Sequence, residues 1–187
     1  MKFQIHKFDS GKTARTHRPL DDTLISICLD KSPKQYLEIG TREGGSLVAV
    51  LQHSNPHPEL VVMCDTWGNT AGGTGRGDHS HIQKLLNELD YKGEIIWLDG
   101  SSLDLIPSLQ QTFDFILVDG AASVASKDLE NSWPLLDNLG LLVMDDSKRK
   151  GIMNFCKQWE KERNDVEFIH VDERTSGNLV LQKKGKI

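Results

Sequence analysis

Tyr36-Leu37-Glu38-Ile39-Gly40-Thr41-Arg42-Glu43-Gly44-Gly45-Ser46 is the stretch that decides how this chain folds. A short apolar run, Tyr36 to Ile39, breaks at Gly40, and Gly44 to Gln52 then reads as a helix. The sequence is therefore strand, glycine turn, helix. Glycine takes positive φ without strain and lets a ligand come close to the main chain. The spacing is Gly-x-x-x-Gly-Gly, not the Gly-x-Gly-x-x-Gly of dinucleotide sites, where a pyrophosphate rests on the helix N-terminus. Glu43 at the helix start would repel a phosphate and suits a cationic or zwitterionic ligand. A tight turn with no ligand is the competing reading of the same residues.

Strands and helices alternate outward from this turn. Asp21 to Leu29 is helical, behind Asp21 as a cap. Leu60 to Cys64 is the second strand and ends at Asp65; a glycine-rich loop, Trp67 to Gly77, follows. A helix, His79 to Leu89, leads to the third strand, Glu94 to Leu98, and then to Asp99-Gly100. A short helix, Ser101 to Gln111, precedes the fourth strand, Phe113 to Val118, which ends at Asp119. A helix over Val124 to Leu136 carries Trp133, expected in the core. The fifth strand, Leu139 to Met144, ends at Asp145-Asp146, and Lys150 to Arg163 is helical. Val166 to Val171 and Leu179 to Gln182 close the chain as a hairpin around the turn-forming residues Asp172 to Asn178. This order predicts an α/β fold: a doubly wound, mostly parallel, seven-stranded sheet with a C-terminal antiparallel hairpin at one edge. Ligands of such sheets bind beyond the carboxyl ends of the strands, near the switch in strand order. Each of the first five strands ends in glycine or aspartate there.

A length of 187 residues fits one domain, 1–187, in which residues 1–30 form an N-terminal segment and helix on the acceptor side. The net charge of −5 argues against a nucleic-acid partner. No apolar run approaches the roughly 20 residues that span a bilayer, and Met1 to Arg18 holds no apolar signal core. No membrane partner and a cytoplasmic location are the expectations. Cys28, Cys64 and Cys156 are far apart and odd in number, and read as reduced core thiols.

Glu38-x-Gly40-x-x-x-Gly44 resembles the first motif of class I S-adenosylmethionine-dependent methyltransferases, a Rossmann-like family, and the likeness runs from about Tyr36 to the C-terminus. The resemblance implies S-adenosylmethionine as cofactor. Glu38, Gly40, Thr41, Gly44 and Ser46 would hold its methionine part. Asp65, with Thr66, would take the ribose hydroxyls, a task suited to a carboxylate's acceptor oxygens. Asp99, Gly100, Ser101 and Ser102 would flank the adenine. The alternatives are a solvated strand end for Asp65 and Asp99, and helix capping for Ser101 and Ser102.

Strands four and five are neighbours in that family, which would bring Asp119, Asp145 and Asp146 to one edge. Three uncompensated carboxylates repel, so one holds a proton or all share a cation. Oxygen ligands favour Mg²⁺, Mn²⁺ or Ca²⁺. The pattern Phe113 to Gly120, Trp133-Pro134, Gly140 to Asp146 is similar to metal-dependent O-methyltransferases, both the catechol type and the macrocin and cephalosporin-hydroxylase-like type. That resemblance implies metal-assisted O-methylation of a small hydroxylated or sugar-like acceptor, with Asp119 catalytic. The competing reading has Asp119 shaping the cofactor pocket and Asp145-Asp146 capping a helix. Where those enzymes carry a lysine or histidine base, this chain has Ala122. His79 and His81 are the candidate bases left, beside their plainer reading as helix-start residues. The glycine loop is a lid or simply a flexible loop. Lys148-Arg149-Lys150 contacts an acidic acceptor or is a solvated basic run. His6, His17 and Arg18 are basic groups available to an acceptor pocket, and a homodimer is one way to complete so small a site. A metal-independent methyltransferase, and a protein that binds the cofactor without turnover, remain the alternatives; a nicotinamide dehydrogenase fits the glycine spacing worst.

Overall fold

Alternation along β1 (Gln35–Ile39) sets the three layers. Tyr36 packs with α1 (Pro19–Lys31), α2 (Gly45–His53) and α3 (His79–Glu88) on one side of the sheet. Leu37 and Ile39 pack on the other side with α5 (Ala125–Ser132) and α6 (Ile152–Glu162). The same period of two continues in β2 (Leu60–Asp65), β4 (Phe113–Val118) and β5 (Leu136–Asp145), where Val61, Phe115 and Leu141 join the first core and Val62, Ile116 and Leu142 the second. These details come from a computed structural model that describes residues 18–68, 78–149 and 151–185. The expectations for His6, His17, Lys150 and most of the glycine loop lie outside the described residues.

The sheet has seven strands in the order β3-β2-β1-β4-β5-β7-β6, with β3 at Glu94–Asp99, β6 at Val166–Asp172 and β7 at Asn178–Lys183. Neighbours from β3 through β5 pair in parallel, and β7 is antiparallel to both β5 and β6. The antiparallel strand thus sits one place in from the edge, and β6 is outermost. Strand order reverses between β1 and β4, the place beyond which sheets of this kind bind their ligands.

Local chemistry explains where the elements differ from their sequence reading. The helix expected over Ser101 to Gln111 is one α-turn, α4 (Ser102–Leu105), followed by a 3₁₀ turn at Ile106–Ser108, because Pro107 has no amide to continue the ladder. Pro134 does the same after α5, with a 3₁₀ turn at Trp133–Leu135. β5 begins at Leu136, three residues earlier than the pattern suggests. Leu139 takes φ +64, and the register with β4 jumps from Phe113–Leu136 to Phe115–Leu141, so the strand reads as a turn at its start. Asp21 is the third residue of α1, not its cap: its carboxylate accepts from the Arg18 amide at 2.9 Å.

Trp133 is buried and donates its indole N–H to Asp165 Oδ2 at 3.0 Å. All three cysteines are free and buried, and burial pushes each thiol up to about 12. No helix among the described residues is long and apolar enough to cross a membrane.

Candidate functional site

The glycine turn takes the positive φ that its sequence implies, with Gly40 at φ +93 and Gly44 at φ +72. The protein itself crowds these two positions. A β-carbon on Gly40 would lie 2.3 Å from the Asp119 carbonyl oxygen, and one on Gly44 2.7 Å from Ile82 Cδ1. The turn is tied to both neighbouring strands: Gly40 N donates to Cys64 O at 2.8 Å, and Asp119 N donates to Ile39 O at 2.9 Å. Glu38 braces it from the core. Its carboxyl is buried and accepts from Tyr36 Oη at 3.0 Å and from Ser46 Oγ. Burial pushes Glu38 up to about 7, against the pull of those two hydroxyl donors. Thr41 is also buried, and its hydroxyl has no partner among the described residues.

Asp65 ends β2 against the turn. Its Oδ2 accepts the Arg42 amide at 2.7 Å and its Oδ1 the Trp67 amide at 2.8 Å. Each oxygen keeps a second lone pair, the acceptor set that a pair of ribose hydroxyls needs. Thr66, half-buried, follows it. With the unpartnered Thr41 hydroxyl, this donor and acceptor set fits an adenosyl amino acid. At the end of β3, Asp99 Oδ1 accepts from both Trp67 Nε1 (2.9 Å) and His79 Nε2 (2.8 Å). The His79 ring lies 4.2 Å from Trp97 and 4.9 Å, edge-on, from Trp67. Gly100 N donates to Asp65 O at 2.9 Å. Ser101 is the N-cap of α4, accepting from Leu103 N at 3.2 Å. Ser102 Oγ donates to Asp128 Oδ1 at 2.7 Å, and the other oxygen of that buried carboxylate has no partner among the described residues.

The candidate bases do not meet Asp119. His79 is engaged at the end of β3, three strand positions from β4, or roughly 14 Å at about 4.8 Å per strand. His81 is exposed on α3, and its amide is capped by Asp78 Oδ1 at 2.8 Å.

Asp119 and Asp145 do come together. The register places Val118 opposite Met144, so the next residues leave the sheet side by side, and their carboxyls are hydrogen-bonded to each other. Burial and mutual repulsion hold Asp119 well above the usual carboxylate range, and burial raises Asp145 as well. Arg18 opposes both shifts, with Nη1 3.5 Å from Asp119 Oδ2. Asp146 turns away: it takes φ +54, gives its amide to the Asp145 carboxylate, and pairs its own Oδ2 with Arg149 Nε at 2.8 Å. Among the described residues no group of three or more histidine, cysteine, aspartate or glutamate side chains is arranged to hold a metal ion. The three carboxylates thus do not fit the divalent ion expected of Asp119, Asp145 and Asp146. Guanidinium groups meet two of them, Arg18 at Asp119 and Arg149 at Asp146, and the third, Asp145, lies against Asp119. Ala122 is half-buried and brings no titratable group.

Trp97 and Asp128 belong to this site although sequence reasoning assigned them no role in it, and Arg18, read there only as a basic group for an acceptor pocket, faces Asp119. The glycines and aspartates it picked out mark strand ends and the turn, whereas these three depend on contacts between separate parts of the chain. A cleft of about 140 Å³ lined by Ile27, Lys31, Asp114 and Leu139 lies at the opposite, amino-terminal edge of the sheet. The Asp114 carboxylate there is already taken up by the amides of Lys34 and Gln35.

Comparison with known proteins agrees with this architecture. Residues 37–147, more than half of the chain, match the family model described as a methyltransferase domain. No curated protein matches by sequence. Among solved structures, the S-adenosylhomocysteine-bound methyltransferase PaMTH1 of Podospora anserina superposes with a TM-score of 0.71 at 15% identity, over 91% of this chain and 80% of that one. The O-methyltransferase TomG of Streptomyces achromogenes, involved in tomaymycin synthesis and bound to S-adenosylmethionine, gives 0.70 at 16%, over 91% and 82%. The Bacillus cereus O-methyltransferase bound to S-adenosylhomocysteine gives 0.68 at 16%, over 92% and 84%. At such identities the likeness is one of fold. Together with the family match, it establishes that the chain belongs to the methyltransferase domain family and has the α/β fold that its glycine turn resembles.

Proposed function

We propose that this methyltransferase uses S-adenosylmethionine to methylate a hydroxyl oxygen of a small hydroxylated or sugar-like acceptor, at the edge formed by the ends of β4 and β5. The observation that carries this reading is the hydrogen-bonded Asp119–Asp145 pair, which adjoins the glycine turn through the contact of Gly40 with the Asp119 backbone. Bound S-adenosylmethionine supplies a sulfonium-activated methyl group, and the carbon–sulfur electron pair stays on sulfur as S-adenosylhomocysteine leaves. The chain's own residues bind and move the proton. The turn with Thr41 and the Asp65 carboxylate hold the amino acid and ribose ends. Asp99, fixed by Trp67 and His79, borders the base. The acceptor's hydroxyl proton passes to the Asp119–Asp145 pair as the new oxygen–carbon bond forms. A carboxyl pair that shares one proton in a buried setting titrates as a unit and serves as a base nearer neutral pH than a free carboxylate.

Calorimetric titration with S-adenosylhomocysteine tests the cofactor part, and release of that product across a panel of hydroxylated acceptors tests the transfer. Binding with a Kd well below about 1 mM, and a drop in kcat of roughly 10²-fold or more for Asp119→Asn, are the expected results. Failure of the unmodified protein to bind S-adenosylhomocysteine would remove the proposal, and binding without turnover on any acceptor would leave a cofactor-binding protein.

A further inference from the structure

We propose that Arg18 takes, within this chain, the place that a divalent cation would have at the Asp119–Asp145 pair, acting as a positioning residue for a methyl transfer that needs no metal ion. The inference rests on the methyl-transfer reading of that pair, and its first test does not require activity.

One guanidinium faces the pair, with Nη1 3.5 Å from Asp119 Oδ2. A guanidinium is permanently charged and presents its donors in a fixed fork, so it can orient a carboxylate as well as neutralise it. The third carboxylate a metal ion would need belongs to Asp146, which is paired with Arg149 at 2.8 Å. The segment between them is pinned to the β6–β7 turn by Ser147 N donating to Gly177 O (3.1 Å) and Lys148 N to Ser176 O (2.9 Å). A divalent ion would have to displace Arg18 from Asp119 and break the Asp146–Arg149 pair.

Arg18 is also delivered there by a built support. It immediately precedes α1, whose first turn is clasped to the C-terminal hairpin. Buried Asp22 meets Arg174 Nη1 at 2.8 Å, and Arg174 in turn meets Asp172 through Nη2 at 2.5 Å and Nε at 2.9 Å. Thr23 Oγ1 donates to Asn178 Oδ1 at 2.9 Å. Asn178 stands opposite Asp145 on one side and Asp172 on the other. The start of α1 is therefore seated on the row Asp145–Asn178–Asp172, and residue 18, just before the helix, reaches the next strand end, that of Asp119. Asp21 holds the Arg18 side chain from behind, with its Oδ1 3.5 Å from Nε.

Mn²⁺ titration of the full chain followed by electron paramagnetic resonance, with and without S-adenosylhomocysteine, reads the site directly. No ion uptake below about 100 µM is expected. Uptake in that range that competes with Mg²⁺ would overturn the proposal, whether or not the protein turns over. On an acceptor that is methylated, chelator treatment is expected to leave kcat unchanged. Arg18→Ala is expected to lower kcat about tenfold or more while the affinity for S-adenosylhomocysteine stays within about twofold. Added guanidinium ion should restore part of the Arg18→Ala activity, and Arg18→Lys should fall between the two, because each returns charge without the tethered fork. A structural role would give no rescue. Loss of turnover on chelation, or full activity in Arg18→Ala, would overturn the proposal; should Arg18→Ala fail to fold, the Mn²⁺ titration of the unmodified chain and Arg18→Lys decide. Failure of S-adenosylhomocysteine to bind would remove the cofactor reading instead.

Discussion

The carbonyl oxygen of Asp119 lies 2.3 Å from where a β-carbon on Gly40 would be, so the turn after β1 and the carboxyl end of β4 fit together only because residue 40 has no side chain. The obstacle is backbone, which cannot swing aside, and φ at Gly40 is +93. Gly40→Ala therefore combines a steric clash with a conformation that L-residues rarely adopt. A loss of roughly 2–4 kcal/mol of stability is expected, together with loss of S-adenosylhomocysteine binding. Urea denaturation and calorimetry measure the two. Retention of both would mean that the turn and strand end are not in contact.

Glu38 makes stability depend on pH. Burial raises its carboxyl from an ordinary value of 4.5 to about 7. Between those values the native state binds more protons than the unfolded chain, so this residue's contribution to stability falls as pH rises from about 4.5 to about 7, and levels off above that. The full change is up to about 3 kcal/mol. Glu38→Gln cannot ionise, and its amide can still bond the Tyr36 and Ser46 hydroxyls, which rotate to suit. Stability relative to the unmodified protein is expected to shift in favour of the variant across that window, read from urea midpoints at pH 4.5, 6 and 7.5. A difference constant with pH would place Glu38 outside the core.

Strand periodicity, and the glycines and aspartates that punctuate it, made most of the fold legible in sequence. Tyr36 and Leu37 face opposite cores as their alternation requires, and Asp65, Asp99, Asp119 and Asp145 each stand at or just past a strand end. The start of β5 was hidden because Asp137, Asn138 and Gly140 are turn formers surrounding a Leu139 with positive φ. The charges facing each carboxylate were not legible. Counting Asp119, Asp145 and Asp146 suggests a metal ion. The cations that meet two of them include Arg18, about a hundred residues away in sequence, and no local pattern encodes that pairing. His79 fails to meet Asp119 for a related reason. Its distance from β4 depends on strand order, and Asp99 and two tryptophan rings hold it at the far end.

His79 should therefore act on cofactor binding and not on proton transfer. His79→Ala removes one of two donors to Asp99 Oδ1, a change worth about 0.5–1.5 kcal/mol. The expected result is a weakening of S-adenosylhomocysteine affinity by about two- to tenfold, an altered tryptophan emission because both Trp67 and Trp97 lose a ring neighbour, and a kcat within about twofold of the unmodified enzyme. A hundredfold loss of kcat with unchanged affinity would make His79 the base after all.

The Asp22–Arg174–Asp172 clasp carries a prediction about stability and activity together. Both carboxylates are nearly buried, at 4% and 6% exposure, and the arginine between them balances their repulsion. Arg174→Ala leaves two carboxylates in a dry setting without the guanidinium that joins them, which costs about 2–4 kcal/mol. Asp22→Asn removes one charge and keeps an acceptor oxygen, and should cost less, about 1 kcal/mol. The pair is in direct contact, so the double variant should be less destabilised than the sum of the singles. Because the clasp seats the start of α1, kcat should fall in Arg174→Ala even at temperatures where the protein stays folded. Additive stabilities, or an Arg174→Ala enzyme with full kcat, would show that α1 holds its place, and Arg18 with it, without the hairpin.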